Sequence, residues 1–361
     1  MRANLLIIRR FIQALDKCLT QQSRARCNFA PVMKRYLALS LSCLLLMGIL
    51  LTGCEKKEQA IVLPAPGPAT PGSIAMGENY EQQVFYDLEA NKVVSTSAIA
   101  SWDLAFEAAA DGRHVYMNGG SGVFLYNTHQ LDFASVKALP AGVSTDNLQF
   151  DDPSGRPDST AVRDWWDSNG QSKREVFIAK LNDTAYYKFV LLAVTPDKYE
   201  FQYGRLADAT PIAVSLPKDA AYNFSYFSFK KGAVTPEPPR ASWDIVFTRY
   251  RYIYRDLNNY PYEVNGVLLN PYKVMAAADS LRGFDVLTFE NTQQLLPTTN
   301  RDVIGSDWKI YNFSTGRYEV NKKKCYIIHT RNEQVYKLHF LDFYSTTGVK
   351  GSPSFESQQI Q

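Results

Sequence analysis

Short apolar and alternating runs, rather than helical stripes, fill the chain beyond residue 75. Tyr222-Asn223-Phe224-Ser225-Tyr226-Phe227-Ser228-Phe229 alternates with period two, the pattern of a strand with one buried face. Residues 176–181, 186–194 and 199–203 are dense in β-branched and aromatic side chains and predict strands. In Trp243-Asp244-Ile245-Val246-Phe247 the same period puts Trp243, Ile245 and Phe247 on one face. Asn118-Gly119 and Asn265-Gly266 each precede an apolar run, as hairpin turns do. Helical periodicity is scarce, and 272–281 is its best short candidate. The pattern predicts an all-β protein.

The pattern also occurs twice. Ala100-Ser101-Trp102-Asp103-Leu104-Ala105-Phe106 returns 141 residues later as Ala241-Ser242-Trp243-Asp244-Ile245-Val246-Phe247, and Phe85-Tyr86 falls on Tyr226-Phe227. Further on, Tyr187-Lys188-Phe189 is answered by Tyr336-Lys337-Leu338 at an offset of 149. A period this long exceeds the ~20–50 residues of solenoid repeats and indicates a duplicated β domain. The break falls near Ala209-Thr210-Pro211. The recurrence of Trp102-Asp103 and Trp243-Asp244 points to a structural motif, each indole in a core with its N–H paired.

The N-terminus changes the charge balance. Met33-Lys34-Arg35 opens a basic flank, an apolar run follows to Leu50, and Leu51-Thr52-Gly53-Cys54 closes it. That is a secretory signal, too short to span a bilayer, which takes ~20 apolar residues. Its last four residues resemble the lipobox of bacterial lipoproteins, which implies cleavage before Cys54 and lipid on its sulfur. Met33 is the expected true start. Without residues 1–53 the chain carries 31 basic and 35 acidic residues, a net charge of −4, so charge makes no case for nucleic acid. Cys54 and Cys325 are its only thiols; with Cys54 lipidated no internal disulfide forms, and Cys325 is expected as a small buried hydrophobe. The Pro-rich stretch 54–78 is expected as an extended tether.

The order of motifs in the second copy resembles the HmuY family of haem-binding lipoproteins. The residues that carry it are Tyr226 to Gly232, Trp243 to Tyr250, Asn265-Gly266-Val267-Leu268, Met275, Tyr318 to Lys323, Val335 to Phe343, and Gly348-Val349-Lys350-Gly351. The first copy shares the pattern but lacks the Arg-Tyr pair after Phe106. The resemblance implies two β-rich domains, at 79–210 and 211–361, on an outer-membrane surface lipoprotein. It implies haem as ligand and a TonB-dependent transporter as partner. The family's best-known member holds iron with two histidines before the closing hairpin. The matching stretch here, 288–316, contains neither His nor Met, so those ligands do not carry over.

Haem iron accepts His, Met, Tyr or Cys. Candidates are His114, His129 and Met117 in the first copy, and Met275 and Tyr272 in the second. His329 and His339 flank a tight turn. A two-residue turn at Asn332-Glu333 would send them to opposite faces; a three-residue turn would reverse this. Trp165-Trp166 reads as a core pair or as a stacking platform. Asp151-Asp152 reads as a solvated acidic loop. Asn118-Gly119-Gly120-Ser121-Gly122 precedes a strand-like run, whereas a phosphate cradle leads into a helix. No P-loop, Gly-x-Ser-x-Gly, His-Glu-x-x-His or Cys-x-x-Cys motif occurs, so no enzymatic activity is expected. The alternative to haem capture is a surface module that binds glycan or protein through exposed aromatics.

Overall fold

The structure, a computed structural model, describes residues 67–181 and 185–361. The signal, Cys54 and the start of the tether lie outside these residues. Nearly all regular structure in the described part is β. The first repeat supplies β1 (Thr70–Ser73), β2 (Gln82–Asp87), β3 (Lys92–Ala98), β4 (Leu104–Glu107), β5 (Val115–Met117), β6 (Phe124–Asn127), β7 (Phe177–Lys180), β8 (Tyr186–Val194) and β9 (Lys198–Arg205). The second supplies β10 (Ile212–Pro217), β11 (Phe224–Ser228), β12 (Gly232–Val234), β13 (Ile245–Tyr254), β14 (Tyr260–Leu269) and β15 (Met275–Asp279). It continues with β16 (Lys309–Asn312), β17 (Arg317–Val320), β18 (Cys325–His329), β19 (Val335–Tyr344) and β20 (Lys350–Gln359).

The two repeats exchange their first three strands. One lobe pairs β10-β9-β8-β7-β6 in one sheet and β12-β11-β4-β5 in another. The other pairs β1-β20-β19-β18-β15 and β14-β13-β2-β3. The arm β10–β12 of the second repeat thus completes the body of the first, and β1–β3 completes the body of the second. The sheets cross the boundary expected near residue 210, and β10 there is zipped to β9 from Ile212↔Tyr203 to Pro217↔Lys198. Each lobe has its own core. One is built from 104–229 around Phe106, Phe177, Phe189 and Phe201. The other joins Ile74, Met76, Val84, Tyr86 and Leu88 to Phe247, Trp308, Phe340 and Phe355.

The Trp-Asp motif fastens each exchanged arm. The Asp103 carboxylate accepts the Phe229 N–H at 2.7 Å, and Asp244 accepts the Leu88 N–H at 3.0 Å. These are repeat-related turns, one between β2 and β3 and the other between β11 and β12, within the visiting arms. Behind them, Asn118 donates to the carbonyls of Ile99 and Trp102, and Asn270 to those of Arg240 and Trp243. A second duplicated device is a buried lysine under a loop. Lys188 donates to the carbonyls of Phe133 and Val136, and Lys337 to those of Phe284 and Leu287. Burial without full compensation would be costly for an ammonium, so these carbonyl pairs are what allow it.

Several expectations change. The end of the tether is a strand: β1 pairs with β20 from Thr70↔Ser357 to Ser73↔Ser354, and Ile74 and Met76 enter the core. Pro71 is tolerated because β1 is an edge strand. Residues 275–279, within the helical candidate, form β15; the described helical structure is one α-turn at Phe289–Thr292 and short 3-10 turns. Asn265-Gly266 lies inside β14 rather than at a turn. A Cβ on Gly266 would meet the Gly305 carbonyl at 2.3 Å, so close packing explains the glycine. Asn118-Gly119 opens a 3-10 turn rather than a hairpin. Trp243 packs with Phe85 and Val246, on the face opposite Ile245 and Phe247, because it precedes β13 and both faces of that strand are covered. Cys325 is a free, fully buried thiol, and burial pushes it up to about 11.

Candidate functional site

Two of the sequence candidates meet. His114 and Tyr272 line one cleft of about 600 Å³ between the lobes, together with Glu107, Tyr116, Arg240 and Arg301. That volume falls in the ~300–1,000 Å³ range of small-molecule sites.

The β4–β5 hairpin fixes His114. Its Nδ1 lies 2.9 Å from Glu107 Oε2, which also accepts the backbone N–H groups of Arg113 at 2.9 Å and His114 at 3.0 Å. Burial works to raise the Glu107 carboxyl, but the hydrogen bonds from the His114 ring and backbone and from Arg113 outweigh it and hold it below the usual range. Nδ1 is directed at a carboxylate, which leaves Nε2 as the ring nitrogen free to meet a ligand, the orientation that metal-ligating histidines adopt. The imidazole side chain is 22% exposed, so it is reachable from the cleft. Trp166 packs edge-on to the His114 ring at 5.3 Å, and Trp165 donates its N–H to the Arg113 carbonyl at 2.8 Å. The tandem tryptophans therefore buttress this hairpin.

Across the cleft, the Arg240 guanidinium stacks on Tyr272 at 4.4 Å. Arg301 spans the floor, its backbone N–H on the Ser154 carbonyl and its Nε on the Leu269 carbonyl. The site is thus cationic and aromatic on one wall, with an oriented imidazole on the other.

The remaining candidates lie elsewhere. His129 is 75% exposed on Glu175, in a left-handed turn at φ 54°. Met117 is buried in β5. Met275 is directly opposite His329 on neighbouring strands, away from the cleft. The turn before β19 has three residues, closed by Thr330 and Gln334, with Glu333 at φ 67°. His329 is opposite Val335 and His339 opposite Cys325, so both histidines share a face, contrary to the two-residue turn. They stand about 13 Å apart along the strand at ~3.3 Å per residue, with side chains that leave the sheet in the same direction rather than towards a common point. His339 is stacked on Phe284 at 4.1 Å and hydrogen-bonded to Glu356. The stretch that matches the family's ligand segment, 288–316, holds the α-turn Phe289–Thr292, then β16 and the turn after it, where Ile310 is 65% and Phe313 90% exposed. Among the described residues no group of three metal-ligating side chains occurs.

Deeper between the lobes, and sharing Tyr116, Phe224 and Arg301 with the cleft, is a cavity of about 110 Å³. Repeat-related pairs line it: Trp102 with Trp243, and Phe85 with Tyr226. Trp243 sits edge-to-face with Phe85 at 4.9 Å and Trp102 with Tyr226 at 5.0 Å. Neither indole N–H has a hydrogen-bond partner, against expectation. Asp151 is no solvated loop residue. It accepts the Met117 and Ala161 N–H groups at 2.5 and 2.6 Å, and burial pushes its carboxyl up to about 7. Glu237, which accepts from Asn223 and Tyr226, is likewise raised to about 7 by burial. The sequence hides both, because their partners are distant along the chain or fixed only by the fold.

The HmuY protein family model matches residues 79–203 and 259–356. No curated protein matches the chain. Solved structures similar to it include apo PinO from Porphyromonas gingivitis, at 11% identity, covering 82% of this chain and 98% of that one, with a TM-score of 0.28. A putative HmuY-like haem-binding protein from Bacteroides vulgatus matches at 10% identity over 80% and 90%, with a TM-score of 0.22. A putative lipoprotein from Bacteroides fragilis matches at 13% identity over 47% and 89%, with a TM-score of 0.21.

Proposed function

Since the chain belongs to the HmuY family, we propose that it is a binding protein, not an enzyme, which captures haem or a related flat anionic ligand between its lobes. The observation that carries this reading is the meeting of His114 and Tyr272 in one cleft, with His114 Nδ1 held by Glu107. His114 Nε2 would be the iron ligand and the Tyr272 hydroxyl a second donor, since haem iron takes either. Arg240 and Arg301 would meet the ligand's carboxylates. The iron supplies a coordination bond that a metal-free porphyrin lacks. In this reading the protein is tied by lipid on Cys54 to the outer membrane and passes its ligand to a TonB-dependent transporter.

Titrating residues 54–361 with ferric haem is expected to give a saturable Soret change, with metal-free protoporphyrin binding more weakly. Equal binding of the two would remove iron ligation from the account. No Soret change at all would favour the alternative, a glycan- or protein-binding surface, for which the exposed Ile310, Tyr311 and Phe313 of β16–β17 are the supporting observation.

A further inference from the structure

The inner cavity carries an unmet demand dominated by donors, with the Tyr250 hydroxyl also unpartnered on its lining. Trp102 Nε1, Trp243 Nε1, Arg249 Nε and Arg251 Nε all belong to residues that line it, and all four are buried without a hydrogen-bond partner. Every one is an N–H donor. The acceptors on the same wall are already engaged. Asp151 takes the N–H groups of Met117 and Ala161, one on each oxygen. Glu237 takes Asn223 on one oxygen and Tyr226 on the other. An unpaired buried donor costs about 1–3 kcal/mol, so four around one space are expected to have a common guest.

We propose that this cavity is a binding site for a small oxyanion, of the size of phosphate or sulfate, held between the repeat-related indoles and the guanidinium groups of β13. Three considerations support an anion over water alone. A water molecule must place its own hydrogens as well as accept, whereas four of the five free groups on this lining only donate and the fifth, the Tyr250 hydroxyl, can donate as well. Arg251 is half-buried against the Phe124 ring at 4.6 Å, and desolvation weakens its hold on its proton, so an anion beside it would offset that cost. A cavity of about 110 Å³ has room for several waters or for a single tetrahedral oxyanion. The two donor indoles come one from each repeat, so the ion would tie the two Trp-Asp motifs together. This space adjoins the outer cleft and shares Tyr116, Phe224 and Arg301 with it, but none of the four free N–H donors lines that cleft.

The test is a titration of ¹⁵N-labelled residues 54–361 with inorganic phosphate, with sulfate and, as control, with chloride. The indole N–H resonances of Trp102 and Trp243 are assigned from Trp102→Phe and Trp243→Phe. Both peaks are expected to shift saturably with one shared midpoint for phosphate or sulfate. Each Phe variant is expected to weaken binding about tenfold or more, the scale of a hydrogen bond to a charged group. If neither indole moves, or both move without saturation as they do with chloride, the cavity holds only water and the proposal fails. Should a Phe variant not fold, the wild-type titration decides alone.

Discussion

A chain lacking residues 67–98 is expected to lose the C-terminal lobe while keeping the other one folded. Those residues supply β1, β2 and β3, and with them Ile74, Met76, Val84, Tyr86 and Leu88 of the second core. Each such side chain contributes about 1.5–3 kcal/mol on burial. Together they amount to on the order of 10 kcal/mol, comparable to the whole stability of a domain. The Leu88 N–H bond to Asp244 goes as well. Residues 99–234, in contrast, hold the complete set β4 to β12 with a core of their own. Produced alone, that segment is expected to give dispersed amide spectra and cooperative melting. The segment 211–361 is expected to give neither, because its body lacks β1–β3 and its arm lacks β4. A cooperatively folded 211–361 would show that the arms need not exchange.

Replacing Glu237 with Gln is expected to stabilise the protein at alkaline pH and to leave it unchanged in acid. The carboxyl is 3% exposed, and burial raises it from its ordinary 4.5 to about 7. The fold therefore prefers the neutral acid. Its contribution is present in full below pH 4.5 and is lost as the pH rises through about 7. A shift of that size corresponds to about 3 kcal/mol by pH 8. Glutamine can serve the same partners, its oxygen accepting from Asn223 and its amide donating to the Tyr226 hydroxyl. The difference in unfolding free energy between variant and wild type is expected to grow from near zero to about 3 kcal/mol between pH 4.5 and 8. Other carboxylates cancel in that difference. A constant offset across the range would mean that Glu237 titrates normally.

The repeat, the all-β composition and most strands were legible because aromatic and β-branched residues mark buried strands whatever they pair with. Pairing itself was not. Backbone hydrogen bonds carry no residue label, and an arm packed on its own body or on its sister's buries the same Tyr86 or Phe227. The edge strand β1 was masked by Pro71, and β15 by the run Ala276-Ala277-Ala278, which suits helix as well as strand. The turn before β19 took three residues because Glu333 adopts a left-handed conformation more usual for glycine or asparagine. His114 and Tyr272 could be named as candidates from residue type. Their meeting depends on the lobe interface, and the orientation of His114 depends on Glu107 across a hairpin. The free indole donors ran against the general rule that buried N–H groups are paired, which is what made the inner cavity visible.

The measurement that bears most directly on the functional account is the ferric haem titration repeated on His114→Ala, with His329→Ala/His339→Ala as its counterpart. Removing the imidazole that Glu107 orients is expected to abolish the Soret shift or lower haem affinity about a hundredfold, while the double variant binds as the wild type does. Unchanged binding in His114→Ala, or loss in the double variant alone, would contradict a haem site in the cleft between the lobes.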